Sequence, residues 1–304
     1  MDRDEVMEDL KKKLCIKKIF KNEPMSKHTS FRVGGPADIM VIPETVEEIR
    51  TLLSCIKENK YPFFIMGNGS NLLVKDKGIR AIVIKILDNF NNISVNDDII
   101  EAETGILLSK LSNVAMRNGL SGLEFASGIP GTLGGAIVMN AGAYGGQISD
   151  VLLETEYIDL EGQIKILEME KHDFGYRKSY FNNGSYIVLR ARLKLVKCDR
   201  EQINKKMQIL NAQRTEKQPL SFPSAGSIFK RPEGHFTGKL IQDAGLRGFT
   251  IGGAQVSEKH TGFIINKGGA TAKDIIDMIQ CIKQKVRDKS GVELETEVRI
   301  VGED

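Results

Sequence analysis

The segment ASGIPGTLGGAIVMNAGAYGG, residues 126–146, carries seven glycines in 21 positions. Glycine inside regular structure costs roughly 0.5–1 kcal/mol relative to alanine, so a folded chain keeps such a cluster where its backbone turns sharply or approaches another group closely. The spacing GxxGxxGG is neither the GxGxxG of a dinucleotide-binding turn nor the GxxxxGK[ST] of a phosphate loop, which disfavours a nucleoside-triphosphate enzyme. The run predicts either a nest of backbone N–H groups around an anion such as a pyrophosphate or an ordinary turn, and alone it favours neither.

A second glycine-rich loop, GNGSN at residues 67–71, follows a predicted strand, YPFFIMG. Upstream lie a predicted strand ADIMVIP and a predicted helix ETVEEIRTLLSCIKENK, where Thr45 and Glu48 have the spacing of a capping box. A βαβ unit of this kind binds ligands at the carboxyl ends of its strands, where the loop lies. The loop alone is as consistent with a plain turn, but two such loops in one domain favour a long dinucleotide over a single phosphate.

The remaining pattern mixes helices with strands and predicts an α/β (α+β) fold. A helix is expected from Leu107 to Asn118 with Gly119 as its C-cap, a hairpin turning at Glu161 and Gly162, and a long strand in YIVLRARLKLV. The last strand is expected in VELETEVRIVG, with Leu294, Val298 and Ile300 on one face. We predict an N-terminal helix over residues 1–20, with Leu14 on its apolar side, a body over 21–200 split near 85–90, and a C-terminal domain over 201–304.

Charge and cysteine content exclude several classes of protein. The 43 basic and 40 acidic residues are interspersed and give a net charge of +3, too weak and too scattered for a nucleic-acid footprint. Cys15, Cys55, Cys198 and Cys281 form no CxxC pair and have no histidine at metal-ligand spacing, so we expect free thiols in a reducing cytoplasm and no metal. No stretch has the length of an apolar membrane span, so no membrane insertion is expected.

Several polar residues are candidates that ordinary structure would also explain. His28 is typical of a capping or structural histidine, the pair Tyr176 and Arg177 in DFGYRKSY of a solvated surface, and Glu297 of an exposed carboxylate on a strand. Ser227 lies in PSAGSIFKRP without the GxSxG elbow of a serine hydrolase, which disfavours that activity.

Seven motifs, in order, resemble the UDP-N-acetylenolpyruvoylglucosamine reductase (MurB) family of peptidoglycan synthesis. They are HTSFRVGGPA, GNGSNLLV, SGIPGTLGGAIVMNAGAYG, FGYRKS, AGSIFKRP, AGLRG and ETEVRIVG. The resemblance runs from about residue 20 to the C-terminus. It is closest to the shorter, type II variety, because no tyrosine-bearing insertion is evident between Phe236 and the final helix.

The resemblance implies an FAD-binding fold of the vanillyl-alcohol-oxidase (PCMH) type, made of two subdomains and followed by a C-terminal α+β substrate-binding domain that closes over the flavin. FAD is expected to be held non-covalently, since no histidine or cysteine stands at an evident attachment site in these motifs. The cofactor-binding residues implied are Phe31, Arg32, Gly67, Asn68, Gly69, Ser70, Asn71, Ser127, Gly128, Ile129, Pro130, Gly131, Thr132, Gly135, Ala136, Asn140, Gly142 and Arg214.

The activity implied is the NADPH-dependent reduction of an enolpyruvyl ether of UDP-N-acetylglucosamine to UDP-N-acetylmuramate. By the resemblance, Arg177 and Glu297 polarise the substrate carboxylate and stabilise the charge that develops there. Glu297 helps only if it is protonated or very close to Arg177. Ser227 donates the proton to the carbon next to the carboxylate. Tyr176, Lys217 and Arg231 are the implied substrate-binding residues.

Two other functions remain open at this point. One is a related flavin oxidase of the same fold acting on an alcohol or lactone; the other is a non-catalytic protein that binds a nucleotide sugar on this scaffold. AGSIF and ETEV belong to the reductase's third domain and count against the oxidase, and the three occupied catalytic positions count against the binding protein. We expect small molecules as the only partners and a monomer in the cytoplasm.

Overall fold

The computed structural model describes residues 3–13, 18–87 and 89–303, and of Arg3 the backbone alone. Cys15 and Leu14 lie outside the described residues. The α-helices of the described part are α1 (Arg3–Lys13), α2 (Val46–Asn59), α3 (Leu108–Arg117), α4 (Leu133–Val138), α5 (Arg200–Lys217), α6 (Thr237–Asp243) and α7 (Ala272–Ser290).

Eighteen strands accompany these helices in the described residues. They are β1 (Ile19–Pro24), β2 (Pro36–Val41), β3 (Phe63–Met66), β4 (Leu72–Val74), β5 (Ile79–Lys85), β6 (Ile93–Asn96), β7 (Ile99–Glu103), β8 (Leu120–Ser121), β9 (Gly142–Ala143), β10 (Gly146–Gln147), β11 (Leu152–Asp159), β12 (Ile164–Glu168), β13 (Tyr186–Lys194), β14 (Val196–Lys197), β15 (Thr250–Ile251), β16 (Ala254–Val256), β17 (Ile264–Asn266) and β18 (Arg299–Val301). The larger sheets have the orders β1-β2-β5-β3, β12-β11-β13-β7-β6 and β15-β16-β17.

The chain divides into two compact units, and the division differs from the predicted boundary near residue 200. The first unit contains Met1–Lys21, Ile39–Asn68 and Ala81–Arg214, and the second contains Asn22–Asp38, Gly69–Arg80 and Thr215–Asp304. Two early segments join the C-terminal one because β4 pairs in parallel with β18 and because Phe31, Val33 and Leu73 pack in its apolar core.

The first unit has two apolar cores. One lies between the antiparallel sheet β12-β11-β13-β7-β6 and the helices α3 and α4. The other combines α1 and α2 with β3 and β5, which pair in parallel. Ile158 and Ile187 of the large sheet also belong to this second core, which therefore extends past the predicted split near residues 85–90. The hairpin predicted at Glu161 and Gly162 is confirmed as β11 and β12, with Gly162 at φ +75°.

Local signals at helix ends agree with the structure to within one residue. Thr45 caps α2 by accepting from the Glu48 N–H at 3.1 Å, but the Glu48 carboxylate accepts from the N–H of Glu44, one residue earlier than a capping box requires. The C-cap of α3 is Asn118; Gly119, predicted as the C-cap, is the next residue and has φ +67°. Among the described residues, no helix is long and apolar enough to cross a membrane.

The final predicted strand is shorter than expected. Regular pairing is limited to β18, and upstream of it Thr296 forms an isolated bridge with Phe229. Leu294 and Val298 are buried as predicted, whereas Ile300 is exposed. At this position β18 forms a two-stranded sheet with β4.

Candidate active site

The first two residues of the GNGSN loop, Gly67 and Asn68, meet the glycine run within the first unit. The Asn68 side-chain amide donates to the carbonyl oxygen of Pro130 at 2.6 Å. A Cβ on Gly67 would lie 2.3 Å from the Thr132 hydroxyl oxygen, so only glycine permits this approach. Thr132 is the N-cap of the short helix α4 and accepts from the Gly135 N–H at 3.4 Å. Glycine at position 67 is thus explained by a close approach between the loops.

The first part of the glycine run contains backbone N–H groups of the kind that the predicted nest would need. The N–H of Gly134 donates to Thr104 at 2.8 Å, and that of Ala136 donates to Thr132 at 2.9 Å. Gly128, Gly131 and Thr132 have backbone N–H groups with no acceptor among the described residues. These three are the donors that an anionic ligand could use.

Arg214, on α5, lies against the same segment. A Cβ on Gly128 would be 2.9 Å from Arg214 Cδ and 2.7 Å from the Asn211 side-chain oxygen, so α5 passes closely over this glycine. Arg214 Nε is inaccessible to solvent and has no hydrogen-bond acceptor in the described part of the chain. Burial lowers the pKa of Arg214. A half-buried cation whose Nε has no acceptor fits an anionic ligand, such as the predicted pyrophosphate, beside the N–H group of Gly128.

Ser127 and the neighbouring Glu124 contact side chains of α5. The Ser127 hydroxyl donates to the carbonyl oxygen of Glu124 at 2.9 Å, and its oxygen lies 3.3 Å from the side-chain oxygen of Asn211. Lys206 Nζ lies 3.5 Å from the buried Glu124 carboxylate, and hydrogen bonds from Ser121 and Gly122 hold the pKa of that carboxyl below its usual value although burial raises it. The side chain of Ser127 is therefore engaged by protein groups.

Arg177 lies at the tip of a tight turn in the first unit. Gly175 and Lys178 exchange backbone hydrogen bonds of 3.1 and 3.2 Å, which leaves Tyr176 and Arg177 as the two central residues. Arg177 has φ +58°, a left-handed conformation that costs a non-glycine residue roughly 1 kcal/mol. Its Nη2 donates to the carbonyl oxygen of Gly142 at 3.3 Å, and its Cζ lies 4.9 Å from the centre of the Tyr176 ring.

Ser227 and Glu297 lie on adjacent segments of the second unit. The N–H of Glu297 donates to the carbonyl oxygen of Ile228 at 2.8 Å, and Phe229 pairs with Thr296. The Ser227 hydroxyl donates to the carbonyl oxygen of Phe229 at 3.1 Å. Two of the three predicted catalytic residues are thus neighbours within one unit.

His260 lies beside Ser227, and no signal in the sequence singled it out. A Cβ on Gly262 would be 3.0 Å from His260 Cε1 and 3.6 Å from the Ser227 hydroxyl oxygen. His260 Nδ1 accepts from the Gly262 N–H at 3.2 Å, which leaves Nε2 as the protonated nitrogen of the neutral ring. Burial lowers the pKa of His260, so the ring is neutral at physiological pH.

The other predicted residues fall into three groups. Phe31 is fully buried in the core of the second unit, so its side chain packs there and offers no polar group to a cofactor. Arg32 is exposed at φ +55°, and the carbonyl oxygen of Gly69, next to Ser70, accepts from Ser30 N–H. The substrate candidates lie at the surface: Tyr176 is 55% exposed, Lys217 ends α5, and the Arg231 guanidinium lies 4.1 Å from the centre of the Phe236 ring. Within the described residues, no cluster of three or more histidine, cysteine or acidic side chains could hold a metal.

Comparison with protein families gives two matches. Residues 37–168 match the family model "FAD binding domain", and residues 218–301 match the model "UDP-N-acetylenolpyruvoylglucosamine reductase, C-terminal domain". The first match covers Gly67, Asn68 and the whole glycine run. The second covers Ser227 and Glu297.

Named relatives agree over the whole chain. The UDP-N-acetylenolpyruvoylglucosamine reductase of Alkaliphilus oremlandii is 53% identical over 304 residues, covering 100% of both chains. That of Clostridioides difficile is 54% identical over 283 residues, covering 93% of each. The crystal structure of the reductase (MurB) from Thermus caldophilus superposes with a TM-score of 0.80 at 35% identity, covering 93% of this chain and 98% of that one.

Proposed function

The chain belongs to the UDP-N-acetylenolpyruvoylglucosamine reductase family and is an FAD-containing oxidoreductase of peptidoglycan synthesis, and we propose that NADPH is its reductant and that Arg177, Ser227 and Glu297 are its catalytic residues. The enzyme reduces the enolpyruvyl ether of UDP-N-acetylglucosamine to UDP-N-acetylmuramate. The observation that carries the catalytic assignment is the pairing of the Ser227 and Glu297 segments inside the region that matches the reductase C-terminal domain.

The residues of the first unit fit FAD. FAD held there would supply the hydride chemistry, taking a hydride from the nicotinamide and passing it to the alkene carbon of the substrate. We assign Arg214 and the N–H groups of Gly128, Gly131 and Thr132 to its pyrophosphate, because these groups are a cation and donors without protein acceptors. The cofactor is held non-covalently in this proposal. The remaining cofactor residues of the family pattern, including Arg32, Ser70 and Asn71 but not Asn140, are proposed on the resemblance of their motifs.

The chain's own residues manage charge and protons. Hydride addition to the terminal alkene carbon places negative charge on the neighbouring carbon and its carboxylate. A guanidinium fixed at Arg177 stabilises that charge without having to reorganise. Preorganised groups contribute most where charge develops in the transition state. Glu297 is proposed to polarise the same carboxylate together with Arg177. The Ser227 Oγ–H then gives its proton to the carbon next to the carboxylate, and solvent restores the hydroxyl; such a weak acid suffices because the carbanion is strongly basic.

Substrate binding and cellular setting are further parts of the proposal. Tyr176, Lys217 and Arg231 are proposed to contact the UDP-sugar. A cytoplasmic location is supported by the thiols of Cys55, Cys198 and Cys281, which form no disulfide among the described residues. We propose a monomer, which light scattering of the purified protein would test.

Anaerobic stopped-flow of the flavin absorbance separates the two half-reactions and tests the proposal. We expect NADPH to reduce the bound flavin and the enolpyruvyl sugar to reoxidise it. Ser227→Ala should leave FAD binding and flavin reduction intact and slow reoxidation by several orders of magnitude. Ser224→Ala, in the same loop, is the matched control and should behave as the wild type.

Three results would contradict the proposal. Normal reoxidation in Ser227→Ala would show that another group is the proton donor. Flavin reduction by an alcohol or lactone, with none by NADPH, would favour the flavin oxidase. A purified protein that binds the nucleotide sugar but takes up no FAD would favour a binding protein.

A further inference from the structure

We propose that Asn140 is a positioning residue that holds Arg177 in its working conformation through the Gly175–Lys178 turn. The inference rests on the proposed catalytic role of Arg177. It assigns the second half of the glycine run, residues 138–142, to the support of this arginine. The resemblance of motifs gave Asn140 a different task, as a cofactor ligand.

Asn140 is buried, and both its side-chain oxygen and its side-chain nitrogen are bonded to protein groups. Its side chain is 3% exposed. The side-chain oxygen accepts from the Ser149 N–H at 3.0 Å, and the amide nitrogen donates to the carbonyl oxygen of Gly175 at 3.2 Å and to Gln147 at 3.4 Å. One acceptor and two donor positions are therefore occupied, and the amide is directed at the base of the turn rather than at a ligand.

The segment contacts the turn at three alternate residues. The hydroxyl of Ser179, just after the turn, donates to the carbonyl oxygen of Val138 at 2.8 Å. Asn140 binds Gly175, just before the turn. The carbonyl oxygen of Gly142 accepts from Arg177 Nη2 at 3.3 Å. Both ends of the turn and the guanidinium itself are thus tied to residues 138–142.

These contacts matter because the turn is strained. Arg177 has φ +58°, and such a conformation persists only where its surroundings hold it. Without the bond from Asn140 the turn is free to relax and to carry the guanidinium away. Asparagine suits position 140 because it tolerates its own φ of +40° and also supplies a donor and an acceptor. Aspartate would instead face the Gly175 carbonyl with a second acceptor.

The first test uses the FAD-loaded enzyme with Asn140→Gly, which removes the amide without adding backbone strain at a positive φ. Hydrogen exchange of the peptide spanning residues 174–179 should quicken about tenfold, the loss of roughly 1.4 kcal/mol of local protection. FAD affinity and flavin reduction by NADPH should stay within about twofold of wild type. Reoxidation by the enolpyruvyl sugar should slow about 10- to 100-fold, since displacement of a positioned group by about 1 Å costs that much.

Two further variants make the test specific. Asp97→Gly removes another non-glycine side chain at positive φ, 54°, in the turn between β6 and β7, and should match the wild type in every readout. Ser179→Ala removes a second of the three contacts with residues 138–142, the bond to Val138, without altering Asn140; it also removes the acceptor of the Phe181 N–H. It should quicken exchange of the same peptide and slow reoxidation, and it keeps the proposal testable if Asn140→Gly does not fold.

A double-mutant cycle separates positioning from a general structural effect. If Asn140 acts through Arg177, Asn140→Gly should slow reoxidation no further in an Arg177→Ala background. Additive slowing, wild-type exchange of the turn in Asn140→Gly, or loss of FAD from that variant would each overturn the inference. Normal reoxidation by Arg177→Ala alone would refute the role of Arg177 in the proposed function, a result that is distinct from the other three.

Discussion

The side-chain amide of Asn71 donates a 3.1 Å hydrogen bond to the backbone carbonyl oxygen of Glu297. The N–H of Glu297 is bound on its other side to Ile228, so both backbone groups of this residue are held. Within the second unit, the last residue of the GNGSN loop therefore fixes the backbone from which the proposed catalytic carboxyl extends. The GNGSN loop, predicted to bind the cofactor, therefore also holds the backbone of Glu297 in place.

Asn71→Ala should lower the free energy of unfolding by about 1 kcal/mol, and Asn71→Asp by more, because the carboxylate would face a carbonyl oxygen. Urea titration monitored by circular dichroism measures both. Asn113→Ala is the control, since its amide bonds within the exposed side of α3 and its loss should change stability by less than about 0.5 kcal/mol. Equal effects of Asn71→Ala and Asn113→Ala would show that the bond to Glu297 contributes little.

Gly135→Ala tests whether FAD contacts the backbone at this position, because the substitution should leave the protein itself undisturbed. A Cβ there would have its nearest neighbour, the Thr132 hydroxyl, at an ordinary 3.6 Å, and alanine is favoured over glycine in a helix by up to about 1 kcal/mol. Gly135→Ala should therefore be at least as stable as the wild type without cofactor. If FAD contacts this backbone, its Kd should rise at least about tenfold, as measured by quenching of flavin fluorescence. Unchanged affinity would remove Gly135 from the cofactor site.

Arg214→Gln should weaken FAD binding at least about tenfold, because a charge-assisted hydrogen bond contributes roughly 1.5–3 kcal/mol. The same substitution should leave the cofactor-free protein equally or more stable, since the guanidinium is half-buried, its Nε is inaccessible to solvent, and no carboxylate is bound to it among the described residues. Arg200→Gln, at the exposed start of the same helix, is the matched control. Loss of stability together with unchanged FAD affinity would indicate a structural role for Arg214.

Elements with strong local signals were predictable from sequence. Helix α3 lies within the range predicted from Leu107 to Asn118, and the β11–β12 hairpin turns at its Gly162 signal. Each of these signals lies within a few residues of the element that it defines. The division into units was not predictable in the same way, because it depends on β4 pairing with β18 across more than 200 positions of sequence.

Contacts between distant residues of the candidate site were likewise not predictable from the sequence. Motifs pointed to Arg177, Ser227 and Glu297, but nothing local indicated that His260 lies beside Ser227 or that Asn140 is bonded to Gly175. The orphaned Nε of Arg214 is likewise a property of the folded environment rather than of the residue type. The motifs identified candidate residues, whereas the burial and the hydrogen-bond partners of those residues could be read only from the folded structure.

His172 should make stability depend on pH below neutrality. The ring is fully buried and stacks on Phe174 with 5.0 Å between ring centres. Nδ1 lies 2.9 Å from the carbonyl oxygen of Glu168, which can only accept, so Nδ1 carries the proton and Nε2 accepts from Thr155 at 2.9 Å. Burial lowers the pKa of His172 in the folded protein.

The direction of this pH dependence follows from whether the folded or the unfolded state binds the proton more tightly. Below the usual histidine pKa of about 6.5 the unfolded chain takes up a proton that folded His172 refuses, so stability is fully present above that pH and falls as the pH drops toward the folded pKa. The loss should approach about 1.4 kcal/mol per pH unit for this group. Urea titrations at pH 7.5 and about pH 5.5 measure it; His172→Gln should lose its share of the dependence, whereas His235→Gln, in an exposed loop, should keep the whole of it. His260 contributes in the same direction, so a wild-type slope that survives His172→Gln but disappears in His260→Gln would assign the effect to the histidine beside Ser227 instead.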